Sequence, residues 1–177
     1  MKSGIDAFIS EMTQKEHREH LVNLKHKANI WKKSGVDVEI ASGRGIFSPR
    51  LSRAEKQTVT ELCDSIKLHE IYFVSYRFSY MPSVWVKKSF GSENNFAYEL
   101  SRLAEKSKAD FLSVYMDKYN NVGFCEGLNA PQGAFVKLTL DLCEHAYFRD
   151  YGFKRDKYIR LAIAHLNLAK LVPPAAK

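Results

Sequence analysis

Asp141-Leu-Cys-Glu-His-Ala-Tyr147 places a carboxylate and an imidazole four residues apart at a point where the chain changes character. Immediately upstream, Phe135-Val-Lys-Leu-Thr-Leu140 alternates in the manner of a strand. From His145 onward the apolar positions follow a helical period, which dominates from Arg155 to Leu171. Asp141 therefore stands at a strand end and His145 where the chain turns into a helix, so both side chains can point at one centre. Rigid element ends suit groups that must hold a metal geometry. Imidazole and carboxylate together suit iron or manganese, and two histidines with one carboxylate is a common non-haem iron arrangement. Alone, this spacing is more often surface charge beside an ordinary histidine. The rest of the chain has to decide.

Working outward, Phe111-Leu-Ser-Val-Tyr-Met116 and Val122-Gly-Phe-Cys-Glu126 read as short strands flanking a hairpin turn over Asp117 to Asn121. Asn129-Ala130-Pro131 breaks the chain before the third strand. A helix fits Asn95 to Lys106, with Phe96, Leu100 and Leu103 on one side. Ser52-Arg-Ala-Glu55 is a capping box that opens a longer helix carrying Leu62, Ile66 and His69 towards Tyr80, where Met81-Pro82 stops it. Nearer the N-terminus, Ser10 is the expected cap of a helix whose His17, His20, Leu21, Leu24, Ala28 and Trp31 recur at spacings of three and four. That order ends near Ser34-Gly35, and the stretch through Gly43, Gly45 and Ser48-Pro49 reads as loop. The predicted class is α+β: an N-terminal helical hairpin domain over residues 1–82, then a C-terminal α/β domain over 83–177 with a three-stranded antiparallel sheet flanked by helices.

Composition narrows the possibilities further. A chain of 177 residues with 45% hydrophobic and 12% aromatic content can bury a core, which excludes disorder. No apolar run approaches the roughly 20 residues that span a bilayer. Met1 to Glu11 has the pattern of neither a signal peptide nor an Arg-rich transit sequence, so a soluble protein of the cytoplasm or mitochondrial matrix is expected. Cys63, Cys125 and Cys143 form no C-x-x-C pair and are expected to be buried thiols in a reducing compartment. The net charge of +7 is spread in pairs such as Lys32-Lys33 and Lys87-Lys88. Such a surface is ordinarily just solvated, but it can also steer a small anion or lie against nucleic acid.

Asp141-Leu-Cys-Glu-His-Ala-Tyr-Phe-Arg-Asp-Tyr151, followed by Arg155 and Tyr158, resembles the C-terminal signature of the iron/manganese superoxide dismutases, D-x-W-E-H-A-Y-Y-x-D-Y then R-x-x-Y. His69-Glu-Ile-Tyr-Phe73 resembles the family's H-x-F-Y-W, and Phe90-Gly-Ser92 with Phe96 matches its F-G-S-x-x-x-F. Asn129-Ala130-Pro131 sits where a similar N-A turn occurs. The landmarks come in family order from about residue 65 to the end. The resemblance implies a metal held by His69, Asp141 and His145, with a fourth ligand from the first helix. Ile9-Ser-Glu-Met-Thr-Gln-Lys-Glu-His17 keeps an I-S-x-x-T-x-x-x-H pattern, which favours His17, then His20, with His26 last. A rival register, pairing Asn23-Leu24 with the family's N-L, would put Met12 there. It further implies one iron or manganese ion per subunit, conversion of superoxide to oxygen and hydrogen peroxide, and no catalytic residue beyond the ligands. Glu144 would reach a partner subunit in a homodimer, with Tyr147 close to the ligands.

Around those ligands the chain departs from the pattern. Cys143 replaces a Trp, Phe148 and Leu21 replace a hydrogen-bonded Tyr–His pair, and Lys25 stands at the gateway Tyr position. Ser107-Lys-Ala-Asp-Phe-Leu112 replaces G-S-G-W-x-W-L, and the solvent-binding glutamine is matched only by Ser65 or, loosely, by Asn129. Groups of this kind tune ligand basicity and redox potential. An alternative follows: a catalytically inactive dismutase-fold protein serving as a structural or RNA-associated subunit of ribosomal type, for which a basic surface is suited. A third reading, other non-haem iron chemistry on the same ligands, ranks last.

Overall fold

The Ser10 hydroxyl oxygen accepts the Thr13 N–H at 3.3 Å and opens helix α1, Glu11–Lys33. The computed structural model describes residues 4–36, 51–77 and 82–173. Helix α1 ends at Ser34, where Gly35 takes a φ of 80°, a left-handed conformation that glycine adopts without a Cβ penalty. Ser52 and Glu55 form the expected capping box at the start of α2, Arg53–Val74, each side chain satisfying the other residue's N–H. His17 packs beside His69 and Tyr72, Leu24 and Ala28 cluster with Ile66, and Trp31 and Val36 meet Val59 and Cys63. Rising numbers on α1 thus meet falling numbers on α2, which makes the pair antiparallel.

Helix α2 does not run on towards Tyr80; it ends at Val74. The chain leaves the helix because its next polar groups are taken by other segments. The Ser75 hydroxyl accepts the Thr139 N–H at 2.9 Å, the Ser75 carbonyl accepts the Asn167 N–H, and Tyr76 bridges to Leu166. Tyr80, Met81 and the loop expected through Gly43, Gly45 and Ser48-Pro49 lie outside the described residues.

Helix α3, Val84–Phe90, was not legible: it is a seven-residue segment with one buried side chain, Val86, too short to display a period. Helix α4 runs over Glu93–Lys106, two residues earlier than expected, because Ser92 caps it by accepting the Asn95 N–H. Strands β1, Phe111–Met116, β2, Val122–Glu126, and β3, Phe135–Asp141, form an antiparallel sheet in the order β2-β1-β3. The β1–β2 turn is built on Asp117, whose carboxylate accepts the Tyr119 and Asn121 N–H groups. Two helices follow, α5, Glu144–Tyr151, and α6, Arg155–Ala164. The helical reading to Leu171 is too long. Leu166, Leu168 and Leu171 stay buried, but on a non-helical tail containing one 3-10 turn.

The largest apolar cluster joins Ile5, Phe8, Ile9, Tyr72 and Tyr76 to Val114, Leu138 and Leu140 of the sheet and to Ala146 and Tyr158. Polar ties reinforce this junction. The Ser10 N–H donates to Asp150, the Tyr151 hydroxyl donates to the Phe8 carbonyl, and Arg149 pairs with Glu16. The apolar cluster and these ties together hold α1 and α2 against the end of β3 and against α5, the elements that carry Asp141 and His145.

Candidate metal centre

Asp141 ends β3 with no exposed surface. Three contacts hold the residue. Its Oδ1 accepts the Cys143 N–H at 2.8 Å, its carbonyl accepts the Tyr158 hydroxyl at 2.7 Å, and the following Leu142 N–H donates to the Asp110 carbonyl. With Oδ1 occupied, Oδ2 faces inward. The Nε2 atoms of His17, His145 and His69 lie 3.0, 3.3 and 3.7 Å from it. His17 comes from α1, His69 from α2 and His145 from the first turn of α5, so four elements converge on one point.

His17 and His69 are 2% and 1% exposed, and the His145 side chain is 37% exposed. One donor atom from each of the four residues lies within 4.8 Å of the others. His69 Nδ1 is 2.7 Å from the Ser65 carbonyl, which can only accept. The ring proton is therefore on Nδ1, and Nε2 presents a lone pair to the cluster. Although His17 Nε2 and Asp141 Oδ2 are close, they are not in hydrogen-bonding geometry. His17 Nε2, His69 Nε2 and Asp141 Oδ2 are all buried without a hydrogen-bond partner. Each such orphan costs roughly 1–3 kcal/mol. A single cation would satisfy all three together, and a three-imidazole, one-carboxylate donor set suits iron or manganese. The residues fit the group.

Charge within the cluster is uneven in the metal-free chain. Burial drives the His69 imidazole down to about 4, with the Ser65 carbonyl and Asp141 opposing it only in part. Burial alone would raise the Asp141 carboxyl, but the close His145 and His17 rings outweigh it and hold the group below the usual carboxylate range. His145 is also disfavoured as a cation by burial, yet Asp141 prevails and raises it.

These shifts predict an acid-labile metal-free chain. His69 falls from 6.5 to about 4 on folding, so its contribution is full above pH 6.5 and is lost as pH falls towards 4. At 1.36 kcal/mol per unit that is roughly 3 kcal/mol. The raised His145 acts in the opposite sense, its contribution being full below 6.5 and lost as pH rises through its folded value. The lowered Asp141 adds a further loss below about 3.8. Urea midpoints of chelator-treated protein should therefore drop between pH 6.5 and 4. A flat profile there would contradict buried neutral His69.

His20 is exposed but lies over the cluster, its ring centroid 4.8 Å from that of His145 and 5.1 Å from that of His69. His26 lines a surface groove with Asn29 and Lys33, and Met12 is 50% exposed; neither belongs to the group. Glu144 is exposed at the start of α5, and Tyr147 is buried, stacked on Tyr158 at 5.0 Å. Lys25 forms an ion pair with Glu70 at 2.7 Å, and Phe148 is 44% exposed. The Ser65 hydroxyl is 3.5 Å from His69 Nδ1, whereas Asn129 is exposed. Sequence reading missed two backbone carbonyls, those of Ser65 and Asp110. Any residue offers a carbonyl, so no side-chain signal marks them. It also missed the task of Tyr158, whose R-x-x-Y spacing was visible but whose hold on the Asp141 carbonyl was not.

An α+β fold with a buried donor set suited to one redox-active ion defines the class. The family model for iron/manganese superoxide dismutases, C-terminal domain, matches residues 83–172, just over half of the chain and including Asp141 and His145. The chain belongs to the iron/manganese superoxide dismutase family. No individual curated protein matches it.

Proposed function

We propose that this chain is a superoxide dismutase, with His17, His69, Asp141 and His145 holding one iron or manganese ion. The observation that carries the reading is the set of buried, unpartnered donor atoms on three of those residues. When bound, the ion supplies alternate one-electron oxidation and reduction of superoxide, giving oxygen and hydrogen peroxide. The chain's own residues do the positioning. The Ser65 carbonyl fixes the His69 tautomer, and the Cys143 N–H and Tyr158 hydroxyl hold Asp141 with Oδ2 turned inward. The His145 edge is the part of the donor set open to solvent, so superoxide approaches there. A net charge of +7 favours anion arrival, and added salt weakens that attraction.

The same reading covers the rest of the assembly. A helical hairpin over 1–82 supplies His17 and His69, and an α/β unit over 83–177 supplies Asp141 and His145. Exposed Glu144 reaches a partner subunit of a homodimer, with Tyr147 packed behind it. No helix among the described residues is long and apolar enough to cross a membrane. Cytoplasm or mitochondrial matrix is the compartment proposed. Elemental analysis of the purified chain, followed by a superoxide-consumption assay, tests the function. Stoichiometric iron or manganese with rapid consumption is expected, and a metal-free, inactive chain would overturn it.

One observation favours the inactive, RNA-associated reading as the alternative. At one end of the sheet Lys88 donates to the Tyr119 carbonyl, Lys118 lies over the Tyr119 ring, and Lys137 lies over Phe135. Tyr119 and Phe135 are 67% and 52% exposed. Basic groups interleaved with exposed aromatics suit single-stranded nucleic acid. Tight RNA binding that weakens steeply with salt, in a chain lacking metal, would select this reading.

A further inference from the structure

We propose that His20 is the access residue of the metal centre: its exposed imidazole covers the rings of His69 and His145 and limits what reaches them from solvent. The inference rests on the four clustered residues being metal ligands.

Three observations lead to it. His20 follows His17 by three residues on α1, so the two side chains emerge on the same side of the helix one turn apart. Its ring sits in tilted contact with two of the clustered imidazoles, at 32° to His145 with centroids 4.8 Å apart and at 41° to His69 with centroids 5.1 Å apart. Those two rings are themselves nearly parallel, at 12°. Among the four clustered residues His17, His69 and Asp141 are at most 2% exposed, and only His145 meets solvent. A route inward therefore passes His145, and His20 stands on that route.

How His20 is held matters as much as where it is. Its ring makes no hydrogen bond among the described residues; it rests on the other imidazoles by ring contact alone. Contacts between aromatic rings contribute only about 0.5–1.5 kcal/mol, so such a cover can swing aside. A diatomic anion needs little displacement, whereas a chelator that must wrap the ion needs the ring removed. His20 is thus a size filter, acting through its bulk on the groups beneath.

The test compares full-length wild type, His20→Ala and His20→Phe, each loaded with cobalt(II) as a coloured probe and then mixed with excess EDTA. Loss of the visible absorption gives the release rate without reference to activity. His20→Ala should release cobalt about tenfold faster or more, the lower end of what groups surrounding a metal site contribute. His20→Phe, which keeps a planar ring, should release near the wild-type rate. Full cobalt loading with an unchanged rate in His20→Ala would overturn the access role while leaving the ligand assignment standing, as would His20→Phe releasing as fast as His20→Ala. Wild type that binds no cobalt would overturn the ligand assignment and this proposal together.

Discussion

His69→Ala should lose both its metal and its superoxide consumption, falling to the background of the chelated chain. Of the four proposed ligands, His69 is the one whose chemistry is most completely determined by its surroundings. It is 1% exposed, its Nδ1 is committed to the Ser65 carbonyl, and its Nε2 has no partner but the cluster. Removing it leaves two imidazoles and one carboxylate, and it also opens a hole beside Phe111 and His17, whose rings lie 5.0 Å away. Loss of activity through unfolding would mimic loss of a ligand, so a second variant is needed. His69→Gln retains most of the volume and should fold while still binding little metal. Circular dichroism, metal content and superoxide consumption measured together check this. A folded His69→Gln with wild-type metal content and activity would remove His69 from the site.

Metal removal should produce the largest change in stability. An ion that binds only the folded chain stabilises it by RT ln(1 + [L]/Kd), about 4 kcal/mol when free metal is a thousandfold above Kd. For a chain of this size that corresponds to roughly 8–16 °C in melting temperature. The unusual part here is that the metal-free fold already carries the cost of three buried polar atoms without hydrogen bonds. Thermal unfolding with EDTA and with added manganese or iron measures the difference. It should collapse in His69→Gln, and a wild-type melting temperature indifferent to metal would contradict the site.

How far these sites were legible differs from element to element. The β1–β2 hairpin, the Ser52–Glu55 box and the Ser10 cap were readable because each depends on residues within a few positions of one another. The end of α2 was not readable, because Thr139 and Asn167, more than sixty residues away in sequence, claim Ser75. The tail from Leu166 to Leu171 misled for a related reason. Leu166 follows Ile159 and Ala162 at helical spacing and Leu171 follows Leu168 by three, yet these leucines are buried by contact with the core and not by continuing α6.

Of the site, Asp141 and His145 could be picked out from four-residue spacing and family resemblance, and His69 from the resemblance alone. Within α1 the resemblance favoured His17, with His20 next, His26 last and Met12 the choice of a rival register. Packing decided among them: the antiparallel docking of α1 on α2 turns His17 inward against Tyr72 and His69, leaves His20 over the opening, and leaves His26 and Met12 facing away. The sequence by itself determined which donors exist and where the locally capped helices and the hairpin begin. The tertiary structure decided which donors meet and which of their lone pairs stay unpaired, because that depends on how segments more than fifty residues apart press together in the absence of water.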